Sequence, residues 1–162
     1  MVESNIKLRK PVTEDGVALF DLVKRCSPLD QNSAYCNLLQ CSHFAETGIA
    51  AELDGELVGF VSGYRVPAQP DVLFVWQVAV DAKARGRGLS KNMVLELLKR
   101  SSLSGIQYIE TTITPDNEAS WGLFRSLAKA LSAPFESSIH FDEAEHFHGR
   151  HKTEHLVKIG PF

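Results

Sequence analysis

The residues whose types and spacing most plainly invite chemistry are Arg85-Gly86-Arg87-Gly88-Leu89-Ser90. They follow an apolar run through Leu73, Phe74, Val75, Trp76, Val78 and Val80, and they open a helical pattern of Leu89, Met93 and Leu97 beside Val94 and Leu98. A strand, a basic glycine turn and a helix in succession aim several backbone N–H groups at one spot by the positive end of a helix dipole. That spot suits a phosphate. The same residues also fit an ordinary surface turn, with glycines for geometry and arginines for solubility, because short glycine motifs are weak evidence alone.

A second cluster is His146, His148, His151 and His155 with Glu154. Four imidazoles and a carboxylate are chemically sufficient for zinc, yet the spacing matches no standard structural site and the cysteines lie far away. No metal is expected, and the histidines read as surface or substrate-facing groups. On a final strand Glu154 and His155 take opposite faces, so one of them looks into a site. His155 is preferred there as a proton carrier, with Glu154 the electrostatic alternative.

The elements that must position these groups follow from periodicity. Ile6 to Arg9 alternates as a strand ending before Pro11. Thr13 opens a helix to about Cys26, with Glu14 and Asp15 at its positive end. A polar break, Ser27 to Ser33, precedes a helix from Ala34 to about Ala45, capped by Asn32 or Ser33. Gly48 to Leu53 and Glu56 to Tyr64 are strands joined at Asp54-Gly55. Pro67 to Pro70 reads as a loop before the apolar strand, which is too continuously hydrophobic to be half exposed. Ile106 to Ile113 is a strand, Asn117 to Ala130 a helix capped by Asn117, and Pro134 to Ile139 and Thr153 to Ile159 are the last strands.

With 162 residues, one domain over 1–162 is expected. A net charge of −3 without basic clusters argues against nucleic-acid binding. No stretch is apolar enough to span a membrane, and MVESNIKLRKP lacks the hydrophobic core of a signal peptide. The three cysteines, Cys26, Cys36 and Cys41, cannot all pair, so reduced thiols in the cytoplasm are expected.

The basic turn resembles the acyl-CoA loop of the GNAT acetyltransferases, Gln/Arg-x-x-Gly-x-Gly/Ala, with Ser90 in the last position. Asn117-Glu118-Ala119-Ser120-Trp121-Gly122-Leu123-Phe124 resembles a second GNAT element, Asn-x-x-Ala/Ser-x-x-Leu/Phe-Tyr. The resemblance implies an α/β (α+β) GNAT fold: a mixed, mostly antiparallel sheet of about seven strands flanked by about four helices. It implies acetyl-CoA contacts from Val78, Ala79, Val80, Arg85, Gly86, Arg87, Gly88, Leu89, Ser90, Asn117, Ser120 and Phe124. Phe124 stands where many relatives carry a proton-donating tyrosine.

Four longer blocks, 27–44, 74–80, 111–117 and 146–156, are similar to the L-2,4-diaminobutyrate acetyltransferases of ectoine biosynthesis. This implies acetyl transfer to the γ-amine of L-2,4-diaminobutyrate in osmoadaptation, by a homodimer. A diamine acceptor with a carboxylate needs anionic and donor groups. Asp30, on the loop between the first two helices, is the candidate ammonium anchor, and an Asx turn is its other reading. Tyr35 is a candidate substrate contact and weak general acid, or else a partly buried amphipathic residue of its helix. Trp76 is either an acceptor-pocket wall or a plain core aromatic. The Val78 N–H is the candidate oxyanion donor. Two other readings stay open: an N-acetyltransferase for a polyamine or aminoglycoside, and a non-catalytic CoA-binding module.

Overall fold

The computed structural model describes residues 5–162, so the part of the leader reading that falls on residues 1–4 lies outside the described residues. Seven strands hydrogen-bond in the order β1-β2-β3-β4-β5-β7-β6. They are β1 (Ile6–Arg9), β2 (Ile49–Leu53), β3 (Glu56–Val66), β4 (Gln69–Val80), β5 (Tyr108–Ile113), β6 (Phe135–Phe141) and β7 (Glu154–Ile159). The α-helices are α1 (Gly16–Arg25), α2 (Ala34–Cys41), α3 (Leu89–Leu98) and α4 (Glu118–Ala130). The β4–β5 ladder is parallel; β1–β2, β2–β3, β5–β7 and β6–β7 are antiparallel. This is the mixed sheet with four helices that the resemblance implied.

By contacts the chain divides into two units, Met1–Tyr64 with Trp76–Ser104 and Arg65–Val75 with Gly105–Phe162. In the first, α1 turns Leu19, Leu22 and Val23 onto Ala50, Leu57, Phe60 and Ala79, with Cys26 and Cys41 completing the cluster. Each of the larger side chains, Leu19, Leu22, Val23, Leu57 and Phe60, is worth about 1.5–3 kcal/mol when fully buried. On α3 the buried residues are Leu89, Met93, Val94 and Leu97. Gly59 of β3 permits this helix: a Cβ there would stand 3.2 Å from both Leu89 Cδ2 and Met93 Cε. Ser33 caps α2, its hydroxyl accepting from the Cys36 N–H at 3.0 Å.

The helix expected from Thr13 begins instead with a 3-10 turn, Thr13–Asp15, and becomes α-helical at Gly16. The cause is local. Asp15 accepts from the Val12 N–H at 2.8 Å and is gripped by Arg9 through bonds of 2.7 and 2.8 Å. The second helix likewise ends at Cys41, and a separate 3-10 turn, Ala45–Thr47, follows. Arg100 Nη1 donates to the carbonyls of Ala45, Glu46 and Gly48, tying that turn down.

The expected loop Pro67 to Pro70 is only a two-residue turn, because β4 already starts at Gln69. Asp54 and Gly55 both take positive φ (51° and 83°), as a tight hairpin of right-twisted strands requires.

In the second unit α4 buries Phe124, Leu127 and Ala128. On the sheet, Ile109, Thr111 and Ile113 of β5 pair with Ile159, Val157 and His155 of β7. Directly paired residues share a face, so these six form one side of the sheet; all except His155 are buried. The alternate residues Glu110, Thr112, Glu154, Leu156 and Lys158 take the other side and are half-buried.

Candidate active site

The basic turn is built from Asp81 onward. The Asp81 carboxylate accepts from the Lys83 N–H at 3.1 Å and pairs with Arg25 at 2.8 Å, which fixes a 3-10 turn over Ala82–Ala84. Gly86 and Gly88 then adopt φ of 77° and 71°. A Cβ would meet nothing within 4 Å at either. Glycine is required for its left-handed backbone, which costs other residues about 1–2 kcal/mol.

The first bond into α3 runs from Asn92 N–H to Gly88 O at 3.0 Å. Among the described residues, no backbone bond is seen from the N–H groups of Gly86, Gly88, Leu89 or Ser90, while Arg87 closes the turn over Arg85 and Gly86. Arg85 Nε donates to Val80 O (3.1 Å) and Arg87 Nη2 to Lys83 O (3.2 Å), each leaving further guanidinium N–H groups turned outward. Amides at a helix start, flanked by two exposed cations, are the kind of setting that suits an anion.

The paired run of β4 with β5 covers Val72 to Phe74, and at the next residue the Thr111 hydroxyl donates to Val75 O at 2.9 Å. Beyond that, β4 continues through Trp76, Gln77, Val78, Ala79 and Val80. Val75 and Ala79 are buried, whereas Trp76 is 38 % exposed and Val78 half-buried. The strand is therefore covered on both faces only over Val72 to Val75. Trp76 is not the core aromatic of one reading; it stands edge-on to Tyr64 (5.9 Å, 82°) and Phe44 (6.3 Å, 83°). Burial raises the Tyr64 phenol above its usual range, keeping its proton in place. Tyr64 and Phe44 had no part in the sequence reading, and no periodicity marks them, since three segments distant in sequence bring them together.

Gln77 Nε2 donates to the Asp30 main-chain oxygen at 2.8 Å, so the loop after α1 is tied to β4 while the Asp30 side chain is exposed. Tyr35, expected half-buried, is 70 % exposed: it lies in the first turn of α2 while Asn37, Gln40 and Cys41 take the buried face. Burial pushes the Cys41 thiol up to about 12 and raises Cys36 as well. Cys26 Sγ donates to Val80 O at 3.3 Å. These thiols are structural.

In the second unit Asn117 caps α4, its Oδ1 accepting from the Ser120 N–H at 3.2 Å. Phe124, four positions on from Ser120, is 3 % exposed and forms part of the core. Lys152 pairs with Asp116, which holds that carboxyl below its usual range and fastens the histidine-rich connection to the loop before α4.

The histidines do not converge. His146 Nδ1 accepts from the Asp142 N–H at 2.7 Å, and His151 stacks on Phe147 at 4.6 Å. No group of three or more His, Cys, Asp or Glu among the described residues could hold a metal ion. His155 lies on the α4-covered face of the sheet, edge-on to Trp121 at 6.0 Å. Glu154 takes the other face, 3.7 Å from His151 Nε2. This contact of an imidazole with a carboxylate is one that the sequence reading, favouring His155, did not assemble.

A glycine turn with exposed arginines after β4, a fourth strand paired with the fifth over only three residues, and a capped α4 are features that the resemblance to acyl-CoA-dependent transferases led one to expect. Residues 17–128 match the family model described as acetyltransferase (GNAT) family, and the chain belongs to that family. It is 55 % identical over 157 residues to the L-2,4-diaminobutyric acid acetyltransferase of Methylotuvimicrobium alcaliphilum, covering 97 % of this chain and 91 % of that protein. It is 49 % identical to the protein of the same name from Chromohalobacter salexigens, over 96 % of this chain and 81 % of the relative. Among solved structures it resembles the diaminobutyrate acetyltransferase EctA of Paenibacillus lautus in complex with its substrate L-2,4-diaminobutyric acid and coenzyme A. There the TM-score is 0.93 and the identity 36 %, with 98 % of this chain and 96 % of that one covered.

Proposed function

We infer that the chain transfers acetyl from acetyl-CoA to the γ-amine of L-2,4-diaminobutyrate, giving the N-γ-acetyl product of ectoine biosynthesis. The observation that carries this reading is the near-complete match, in sequence and fold, to relatives bearing that name. The alternatives, a polyamine or aminoglycoside acetyltransferase and a non-catalytic module, have no comparable support.

The roles divide as follows. Arg85 to Ser90 take the pyrophosphate of acetyl-CoA. The backbone of Val78 to Val80 accompanies the pantetheine, and the Val78 N–H stabilises the tetrahedral oxyanion. Asn117 and Ser120 flank the cofactor arm, and Phe124 supports that helix from the core. Trp76, with Tyr64 and Phe44 behind it, walls the acceptor, and Asp30 draws an ammonium group. Glu154, partnered by His151, takes the proton that the γ-ammonium must lose before its nitrogen attacks the thioester. His155, packed on Trp121, is a structural neighbour of α4 in this scheme.

The departing thiolate has an ordinary pKa of about 8.5, so it leaves without an obligatory acid. Tyr35, exposed in the first turn of α2, is a contact for the acceptor and the candidate hydroxyl that protonates the leaving sulfur.

The protein works as a single domain over 1–162, in the cytoplasm, as an osmoadaptation enzyme and a homodimer. β6 supports the last point. It ends the sheet, and Ile139 (63 % exposed) and Phe141 stand out along an edge with unpaired backbone groups, which natural proteins cover. Among the described residues no helix is long and apolar enough to cross a membrane. An acceptor panel at fixed acetyl-CoA tests the reading. Diaminobutyrate should exceed putrescine and aminoglycosides by more than tenfold in kcat/KM, and equal rates would point to the polyamine alternative.

A further inference from the structure

A cavity of about 500 Å3 opens beside α4, lined by Pro115, Glu118, Trp121, Gly122, Arg125, Ser137 and His155. It is not the face that carries Glu154, because His155 and Glu154 are successive residues of one strand and point to opposite sides. No role in acetyl transfer falls to Arg125, yet its setting is specific. Its guanidinium lies over the rings of both Trp121 (5.4 Å) and Phe135 (5.2 Å). Two aromatic contacts hold the plane of the fork, and among the described residues no carboxylate pairs with it.

Glu118, Trp121, Gly122 and Arg125 lie at i, i+3, i+4 and i+7, which is one face of α4. Their first and last Cα atoms are about 10 Å apart along the axis, a gap that the long Glu and Arg side chains narrow. Gly122 has no side chain to fill the floor between them. The Trp121 indole is immobilised by its own bond, Nε1 donating to Thr114 O at 3.0 Å. Ser137 adds a hydroxyl. The cavity thus has a rigid cation at one end, a carboxylate at the other and an aromatic wall between.

We propose that this cavity is a second ligand site, separate from the acetyl-transfer centre, that takes a small zwitterionic amino acid with its carboxylate on Arg125 and its ammonium toward Glu118. An ω-amino acid, whose two charges are separated by several carbons, has that chemistry.

The test uses the full chain without acetyl-CoA and 4-aminobutyrate as the probe, with butyrate and butylamine as single-charge controls. The two tryptophans give two indole N–H signals in nitrogen-15 NMR, so Trp121 and Trp76 report separately. Expected is a saturable shift of the Trp121 signal, weakened at least tenfold by Arg125→Gln, less by Glu118→Gln, and at least tenfold weaker for either control. Arg125→Lys should lose most of the binding while keeping the charge, since a lysine cannot offer the planar fork. A Trp121 signal that never saturates, equal binding of butyrate, or an unchanged titration in a folded Arg125→Gln protein would each overturn the site. Failure of the acetyl-transfer reading would show elsewhere, as absent turnover with the Trp121 titration intact.

Discussion

Gln77 Nε2 bonds the main-chain oxygen of Asp30 at 2.8 Å, so one side chain of β4 sets the position of the loop proposed to receive the acceptor. Such a bond is worth about 1 kcal/mol, a factor of about five in an equilibrium. Gln77→Leu keeps the volume and removes the donor. Its expected effect is a KM for diaminobutyrate raised about fivefold with the KM for acetyl-CoA little changed; initial-rate kinetics with each substrate varied in turn checks it.

Glu154 is the proposed proton acceptor. Glu154→Gln keeps shape and removes basicity, so kcat should fall about 10²–10⁴-fold, the usual contribution of a positioned base. The loss should shrink as pH rises and more of the acceptor is already neutral. The corresponding His155→Gln change should lower kcat far less, and a pH–rate series on both variants separates them.

Gly88 holds φ of 71° at the start of α3. Gly88→Ala adds about 1–2 kcal/mol of backbone strain with no clash; a turn that relaxes out of the left-handed region when empty must recover it to bind, and acetyl-CoA affinity should then be about 5–30-fold weaker. Calorimetry with CoA reads this directly, while the far-UV spectrum should stay unchanged.

Arg9 holds the Asp15 carboxyl below its usual range, chiefly through their hydrogen bonds. A depressed folded-state pKa stabilises above the unfolded value of about 3.9, and that stabilisation is lost as pH falls through the folded value. Asp15→Asn should therefore lower Tm at pH 7 by about 2–4 °C, the effect of about 1 kcal/mol in a chain of this size. The gap between variant and parent should close below about pH 4, as thermal melts across pH would show.

The fold was legible where local chemistry decides it. The Asp54-Gly55 hairpin, the Ser33 and Asn117 caps and the glycine turn each carry their cause within a few residues. The organising strand was harder. Its apolar run suggested full burial, but pairing with β5 covers only Val72 to Phe74, and Trp76 emerges half-exposed. What hid the rest was distance along the chain. Tyr64 and Phe44 join Trp76 from other segments, and only the start of β7 at Glu154, with His151 on the turn before it, brings that pair together. Residues 154 and 155 could be assigned opposite faces by alternation, but which face α4 covers depends on the β5–β7 register. Tyr35 is more exposed than a partly buried helix residue would be for a helical reason: it lies off the stripe of Asn37, Gln40 and Cys41 that α2 buries.

The most direct test is to mix the protein with acetyl-CoA and L-2,4-diaminobutyrate, follow free thiol, and assign the product by NMR. Expected is thiol release stoichiometric with an acetyl group on the γ-nitrogen alone. Thiol release no faster than in the absence of protein, or acetylation of the α-nitrogen, would contradict the assignment.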